Sequence, residues 1–343
     1  MPLDGVVPFP PDLAARYRER GYWEGRLLGD VFWELFRRHA ARTAFTHGGG
    51  RVTFQELRER AEGFARRLVA DHGVHALDRV VVHLPNSPEF LYVYFALQRI
   101  RAIPLLALAP HRRLELEHFV RLAEARALVT TDGELGAVVR RDCPTLGAAI
   151  SPGELAGAAP DFSPEPVEPT DPCVLLLSGG TTGIPKLIPR THNDYLYNSR
   201  ASAAVQDIEP GSVQLAVAPL AHNMPLACPG VQGFFLAGAR VALAPGHDAE
   251  QVFSTIQRER VTHVAAVPAL YIRWIGDASA KRYDLRSVRL LQSGGQRLQP
   301  EVRRRMAEVF PNAFVQENFG MSEGLLTFVR RDDPPEVRME TVG

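Results

Sequence analysis

Short apolar, β-branched runs alternate with amphipathic stretches along this chain, and that alternation restricts its possible folds more than any other feature. Residues 79–84 (RVVVHL), 102–108 and 127–131 read as strands, and residues 88–100 and 111–123 between them read as helices. Thr53-Phe54-Gln55-Glu56 forms a capping box. It opens a helix with Phe54, Leu57, Ala61, Phe64 and Leu68 on one face. Apolar strands separated by helices imply an α/β fold, with successive, mostly parallel sheets covered on both faces.

The rhythm resumes in the second half. Residues 173–177, 213–218, 240–244, 261–267, 288–292 and 313–316 read as strands. Helices are expected at 191–205, 229–237, 248–258 and 300–310, with another opened by Pro268. Residues 144–172 break the pattern with Pro144, Pro152, Pro160, Pro164, Pro166, Pro169 and Pro172. The expected organisation is an N-terminal α/β subdomain (1–150), a Pro-rich connection (151–172) and a second α/β subdomain (173–343).

Directly after the strand at 173–177 comes Ser178-Gly179-Gly180-Thr181-Thr182-Gly183-Ile184-Pro185-Lys186. The glycines let backbone N–H groups turn inward as an anion nest. Ser178, Thr181 and Thr182 add hydroxyl donors, and Lys186 adds a positive charge. This reads as a phosphate loop without the Walker A ending. Alone, it also reads as a plain turn.

Three further clusters fall beyond strand ends, where ligands of such sheets bind. The first holds His222, Asn223, Met224 and Cys228, the second Gln292-Ser293-Gly294-Gly295-Gln296, and the third Glu317-Asn318-Phe319-Gly320-Met321-Ser322-Glu323-Gly324. Each in isolation is equally a loop that satisfies its own backbone or a glycine turn.

Composition narrows the class of partner. The 39 basic and 39 acidic side chains balance, so no basic footprint for nucleic acid is present. The three cysteines, Cys143, Cys173 and Cys228, show no metal-ligand spacing and suit a reducing cytoplasm. The N-terminus lacks a signal-peptide pattern, and no apolar run approaches the ~18 residues of a membrane span.

Taken together in order and spacing, the phosphate loop and the three clusters closely resemble the successive core motifs of the adenylate-forming superfamily. This superfamily includes acyl-CoA synthetases, luciferases and the adenylation domains of nonribosomal peptide synthesis. His222-Asn223, Ala227-Cys228-Pro229-Gly230 and Phe319-Gly320-Met321-Ser322-Glu323-Gly324 are similar to the stand-alone aryl-acid adenylating enzymes. Those enzymes activate salicylate or 2,3-dihydroxybenzoate for siderophores and related natural products.

The resemblance implies a ligase that uses ATP and Mg²⁺ to convert an aryl acid into aryl-AMP. It then passes the acyl group to the phosphopantetheine thiol of a carrier protein, or to coenzyme A. Ser178 to Gly183 and Lys186 would hold the triphosphate, and Glu323 would hold the metal. His222 would flank the carboxylate and the α-phosphate. Asn223, Met224, Cys228, Gly294, Gly320 and Leu326 would line the acid pocket. Gly295, Gln296, Glu317, Asn318, Phe319 and Ser322 would receive the nucleotide, with Phe319 stacked on adenine and Asn318 or Glu317 near its amino edge.

A neutral Asn223 suits an acid with no amine, because a buried unpaired carboxylate would be costly. Cys228 and Leu326 are similar to the salicylate enzymes, where dihydroxybenzoate enzymes typically carry Ser and Val. A thiol is a weak hydrogen-bonding group, and such a swap discriminates by only ~1–3 kcal/mol. Met224 and Thr327 depart from the usual Tyr or Phe and Asn, which leaves room for 2,3-dihydroxybenzoate, 3-hydroxypicolinate or a substituted salicylate. The family's third subdomain and its mobile C-terminal domain with the catalytic lysine have no counterpart in the sequence through Gly343, so impaired adenylation is expected of this chain. An aryl-CoA ligase and a non-catalytic adenylate-binding pseudoenzyme are the alternatives, the latter opposed by the intact Lys186 and Glu323.

Overall fold

In chain order the strands are β1 (Thr43–His47), β2 (Gly50–Thr53), β3 (Arg79–His83), β4 (Ile103–Ala107), β5 (Ala127–Thr130), β6 (Ala148–Ile150) and β7 (Pro172–Leu177). They continue with β8 (Leu187–Thr191), β9 (Val213–Ala216), β10 (Arg240–Leu243), β11 (His263–Ala266), β12 (Leu290–Ser293), β13 (Phe314–Gly320) and β14 (Leu326–Phe328). This computed structural model describes residues 5–178 and 185–343. The chain divides into two compact units, Met1–Ala41 with Phe54–Tyr197, and Arg42–Thr53 with Asn198–Gly343.

The first unit is built on a sheet of order β6-β5-β3-β4-β7-β8. All neighbours are parallel except β8, which folds back antiparallel on β7. β4 and β5 are buried at every position, as strands covered on both faces must be. The helix Phe54–His72 buries Phe54, Leu57, Ala61, Phe64 and Leu68, the stripe read from the sequence. The helix Pro88–Ile100 starts on Ser87, whose hydroxyl accepts from the Phe90 N–H, with Pro88 supplying the first-turn residue that needs no donor.

The second unit carries the sheet β14-β13-β12-β11-β9-β10-β1-β2, parallel from β13 to β1 with an antiparallel strand at each edge. One apolar core gathers Leu215, Val264, Leu291 and Val315 from its strands with Phe253, Tyr271, Trp274 and Met306. Gln214, Gln292 and Gln316 are also buried, within 2 % of full burial, and their side-chain amides hydrogen-bond mostly to loop carbonyls.

The expected boundaries at 150 and 173 are corrected. β7 pairs with β4 (Leu105↔Leu175), so the strand that ends just before Ser178 belongs to the first sheet, not to a second subdomain. The β1–β2 hairpin, unmarked in the sequence reading, leaves the N-terminal segment and lies parallel to β10 (Phe45↔Val241). Both differences concern which neighbour satisfies a strand's backbone, a non-local choice that no local pattern encodes. Among the described residues, no helix is long and apolar enough to cross a membrane.

Candidate functional site

In the first unit, the β7–β8 hairpin ties together Ser178 and Lys186, the two ends of the segment expected to bind phosphate. Ser178 N–H donates to the Lys186 carbonyl at 3.0 Å, and Lys186 N–H donates to Ser178 Oγ at 3.0 Å. Lys186 is exposed at the hairpin's open end. Gly179, Gly180, Thr181, Thr182 and Gly183 lie outside the described residues.

In the second unit, the segment after β9 turns through Pro219–Ala221 into a short helix, Asn223–Ala227, with His222 as its N-cap. Pro225 is tolerated there because first-turn residues lack an intrahelical acceptor for their N–H. Cys228 follows, then a cis bond to Pro229. Gly230 takes φ +52°, and a Cβ on it would lie 2.5 Å from the Pro225 carbonyl carbon and oxygen. Only glycine permits that backbone approach.

A chain of buried amides supports this segment from below. Gln292 Nε2 donates to the Cys228 carbonyl at 2.9 Å and to Asn318 Oδ1 at 3.2 Å. Asn198 Nδ2 donates to the Ala227 carbonyl at 2.5 Å and reaches Cys228 Sγ at 3.5 Å. Gln214 Nε2 donates to the Pro225 carbonyl at 3.2 Å. β9, β12, β13 and the helix His192–Val205 are thereby tied to one loop. Desolvation around the His222 imidazole holds its pKa below the usual histidine value, so the ring is neutral near pH 7, although the residue is exposed at the rim. Asn223 Oδ1 is buried and has no hydrogen-bond partner among the described residues.

The second and third clusters meet at Gly294 and Asn318. A Cβ on Gly294 would stand 2.7 Å from Asn318 Oδ1, so the missing side chain lets the Asn318 amide pack directly on this buried backbone. The variant Gly294→Ala is expected to lose ~1–3 kcal/mol of stability through this overpacking, read from the urea midpoint. An unchanged midpoint would mean that Asn318 moves aside at no cost.

β13 runs on through Gly320, four residues beyond the predicted strand end, and pairs with β14 (Gly320↔Leu326). Leu326 Cδ2 lies over Gly320, 2.7 Å from where a Cβ would be. Phe319 is 46 % exposed beside this hairpin and leaves a ring available for stacking. The turn closes through Met321 N–H to the Leu325 carbonyl at 3.1 Å. Ser322 lies at its tip, and Glu323 is exposed there. Gly295 follows Gly294 with φ +85°, and Gln296 comes next in the exposed loop. Met224 is half-buried, and Cys228 is fully buried. Thr327 Oγ1 donates to the Val342 carbonyl at 2.6 Å.

Glu317 is a correction. Its side chain lies on the opposite face of β13 from Asn318, 1 % exposed, paired with Arg303 and accepting from Leu298 N–H at 2.8 Å. The carboxylate is consumed by the protein and is not available to a base edge. Alternation along a strand forces neighbours to opposite faces, so only one of Glu317 and Asn318 could serve. Sequence reasoning missed Asn198 and did not count Gln292 among the site residues. The available signal was a polar stripe, Asn198, Ser199 and Ser202, on a helix face that is otherwise buried.

The chain belongs to the AMP-binding enzyme family, whose profile matches residues 32–343. It is 40% identical to a 2,3-dihydroxybenzoate-AMP ligase of Bacillus subtilis, over 99% of this chain and 66% of that protein. It is 42% identical to a salicyl-AMP ligase / salicyl-S-ArCP synthetase of Mycobacterium tuberculosis, over 99% of this chain and 64% of that protein. The fold matches the apo structure of MbtA from Mycobacterium smegmatis with a TM-score of 0.91 and 38% identity, over 99% of this chain and 65% of that one. The chain thus spans about two thirds of the length of the curated relatives it matches.

Proposed function

We propose that this chain is the acid- and nucleotide-binding core of an aryl-acid–AMP ligase, with salicylate the favoured acid. The observation that carries the reading is Asn223, whose Oδ1 is buried without a partner among the described residues. A buried orphan acceptor costs ~1–3 kcal/mol, and the ortho hydroxyl of a salicylate ring is a donor that removes this cost. The neutral Asn223, the buried thiol of Cys228 and the Leu326 methyls would suit an aromatic ring with one hydroxyl and no amine. The names of the relatives, salicyl- and 2,3-dihydroxybenzoate-AMP ligases, support the same class of acid.

The exposed backbone at Gly295 suits a flat ligand, and the exposed Phe319 ring suits stacking on adenine. Lys186 and the phosphate loop would take the triphosphate. Mg²⁺ is held by one or two carboxylates, with water and phosphate oxygens completing its shell, so the single exposed Glu323 fits it. Mg²⁺ held there would supply neutralisation of phosphate charge. Neutral His222 would donate or accept a hydrogen bond beside the reacting carboxylate without adding charge. The aryl group would pass to the phosphopantetheine thiol of a carrier protein, in siderophore or related nonribosomal peptide assembly.

Thermal stabilisation by non-hydrolysable aryl-adenylate mimics tests this reading. The salicyl compound is expected to bind about 10-fold or more tighter than the benzoyl one, which lacks the ortho donor. It should also exceed the 2,3-dihydroxybenzoyl, 3-hydroxypicolinyl and aliphatic compounds. Equal shifts with salicyl and benzoyl compounds would remove the role given to Asn223, and no shift with any aryl compound would remove the function.

A further inference from the structure

We propose that Asn198 determines acid specificity by acting through residue 228. Its amide N–H orients the side-chain heteroatom there and so sets which hydrogen-bonding group faces the edge of the ring. The proposal rests on the aryl-acid reading above and names a residue that lies behind the pocket wall, not in it.

Residue 228 is gripped at both ends. Its carbonyl accepts from Gln292 Nε2 at 2.9 Å, and its sulfur lies 3.5 Å from Asn198 Nδ2. Asn198 is itself fixed. Its Nδ2 also donates to the Ala227 carbonyl, its own carbonyl accepts from Ser202 Oγ at 2.7 Å, and the residue is 6 % exposed. An N–H aimed at a heteroatom favours the orientation in which the heteroatom's own hydrogen points away from that donor. For a thiol the consequence is small, because S–H is a weak donor. For a hydroxyl at the same position it is large, because the O–H would be turned as a strong donor toward the ring. The gain in affinity for a 3-hydroxy acid from serine at position 228 therefore depends on Asn198.

Calorimetric dissociation constants for the salicyl- and 2,3-dihydroxybenzoyl-adenylate mimics provide the test. In the native background, Cys228→Ser is expected to shift the ratio of the two constants about 10-fold toward the dihydroxy compound. In the Asn198→Leu background the same change is expected to shift it by less than about 3-fold, a coupling that a double-mutant cycle isolates. Asn198→Asp keeps the shape but puts an acceptor at the sulfur; it is the second variant, expected to behave as the Leu one. Ser199→Ala separates specificity from loop support. Ser199 Oγ also reaches the Ala227 carbonyl, at 3.4 Å, and bonds Gln232 at 2.8 Å, so its loss weakens the same loop support while leaving the Asn198 amide at the sulfur. The full shift is expected to persist in that background. An undiminished shift with both Asn198 variants, or an equal loss with Ser199→Ala, would overturn the proposal while leaving the aryl-acid reading standing. If neither mimic binds the native chain, both fall together.

Discussion

Replacing Arg303 by leucine is expected to destabilise the second unit by about 3–5 kcal/mol, because it strands a buried carboxylate. Glu317 is 1 % exposed at its side chain and Arg303 10 %. Arg303 also donates from its second guanidinium nitrogen to the Val315 carbonyl at 2.9 Å, and Leu298 N–H donates to Glu317 at 2.8 Å. The only other cation near Glu317 among the described residues is Arg297 at 3.8 Å, which is 41 % exposed and too well solvated to replace Arg303. Adding Glu317→Leu to Arg303→Leu should restore most of the loss. About 1 kcal/mol would remain for the unpaired Leu298 N–H. Urea titrations followed by tryptophan fluorescence measure this, with Trp274 buried in the same unit. A single-variant loss below about 1 kcal/mol would mean that water reaches the carboxylate and that the pair is not sealed.

Acidification is the second large effect. His192 in the first unit and His263 in the second are both buried, and desolvation lowers their pKa values from 6.5 to about 3 and about 4. His192 accepts the Leu28 N–H on Nδ1 at 3.1 Å, which only the neutral ring can do, and Arg101 adds repulsion. His263 contacts Thr262 Oγ1 at 2.7 Å and the Gln206 carbonyl at 3.2 Å. Between the unfolded and folded pKa values the unfolded chain binds more protons, so stability rises with pH across that window. Stability is therefore complete above about pH 6.5 and declines as pH falls toward 4 and then 3. The full loss is on the order of 3 kcal/mol for His263 and 5 kcal/mol for His192. About 2 kcal/mol per ring is lost by pH 5, which urea titrations at about pH 7.5 and about pH 5 should show, and His192→Gln with His263→Gln should flatten the dependence. A native protein equally stable at both pH values would show that the two rings accept protons without leaving their sites.

The regular elements were legible because their causes are local. The helix Pro88–Ile100 matches its sequence reading to the residue, since Ser87 and Pro88 mark its start and no competing signal intervenes. β3, β4 and β5 were readable as short, mostly apolar runs for the same reason. The Asn223–Cys228 segment, the Gly294-Gly295 turn and the Phe319 hairpin were visible as clusters of unusual residues beyond strand ends. β13 was cut short in the reading because Glu317, Asn318 and Gly320 are poor strand formers alone, and pairing with β14 overrides that preference.

Residue order alone was sufficient to mark the alternating α/β architecture and the glycine-rich and polar clusters beyond the ends of β7, β9, β12 and β13. These depend on side-chain type within a few positions, through periodicity, capping and glycine freedom. Three matters were decided only in three dimensions: the seat of β7 in the first sheet, the turning of Glu317 away from Asn318, and the grip of Asn198 and Gln292 on Cys228. Each joins residues from 14 to 70 positions apart, through hydrogen bonds whose partners a buried group must find but cannot name in advance.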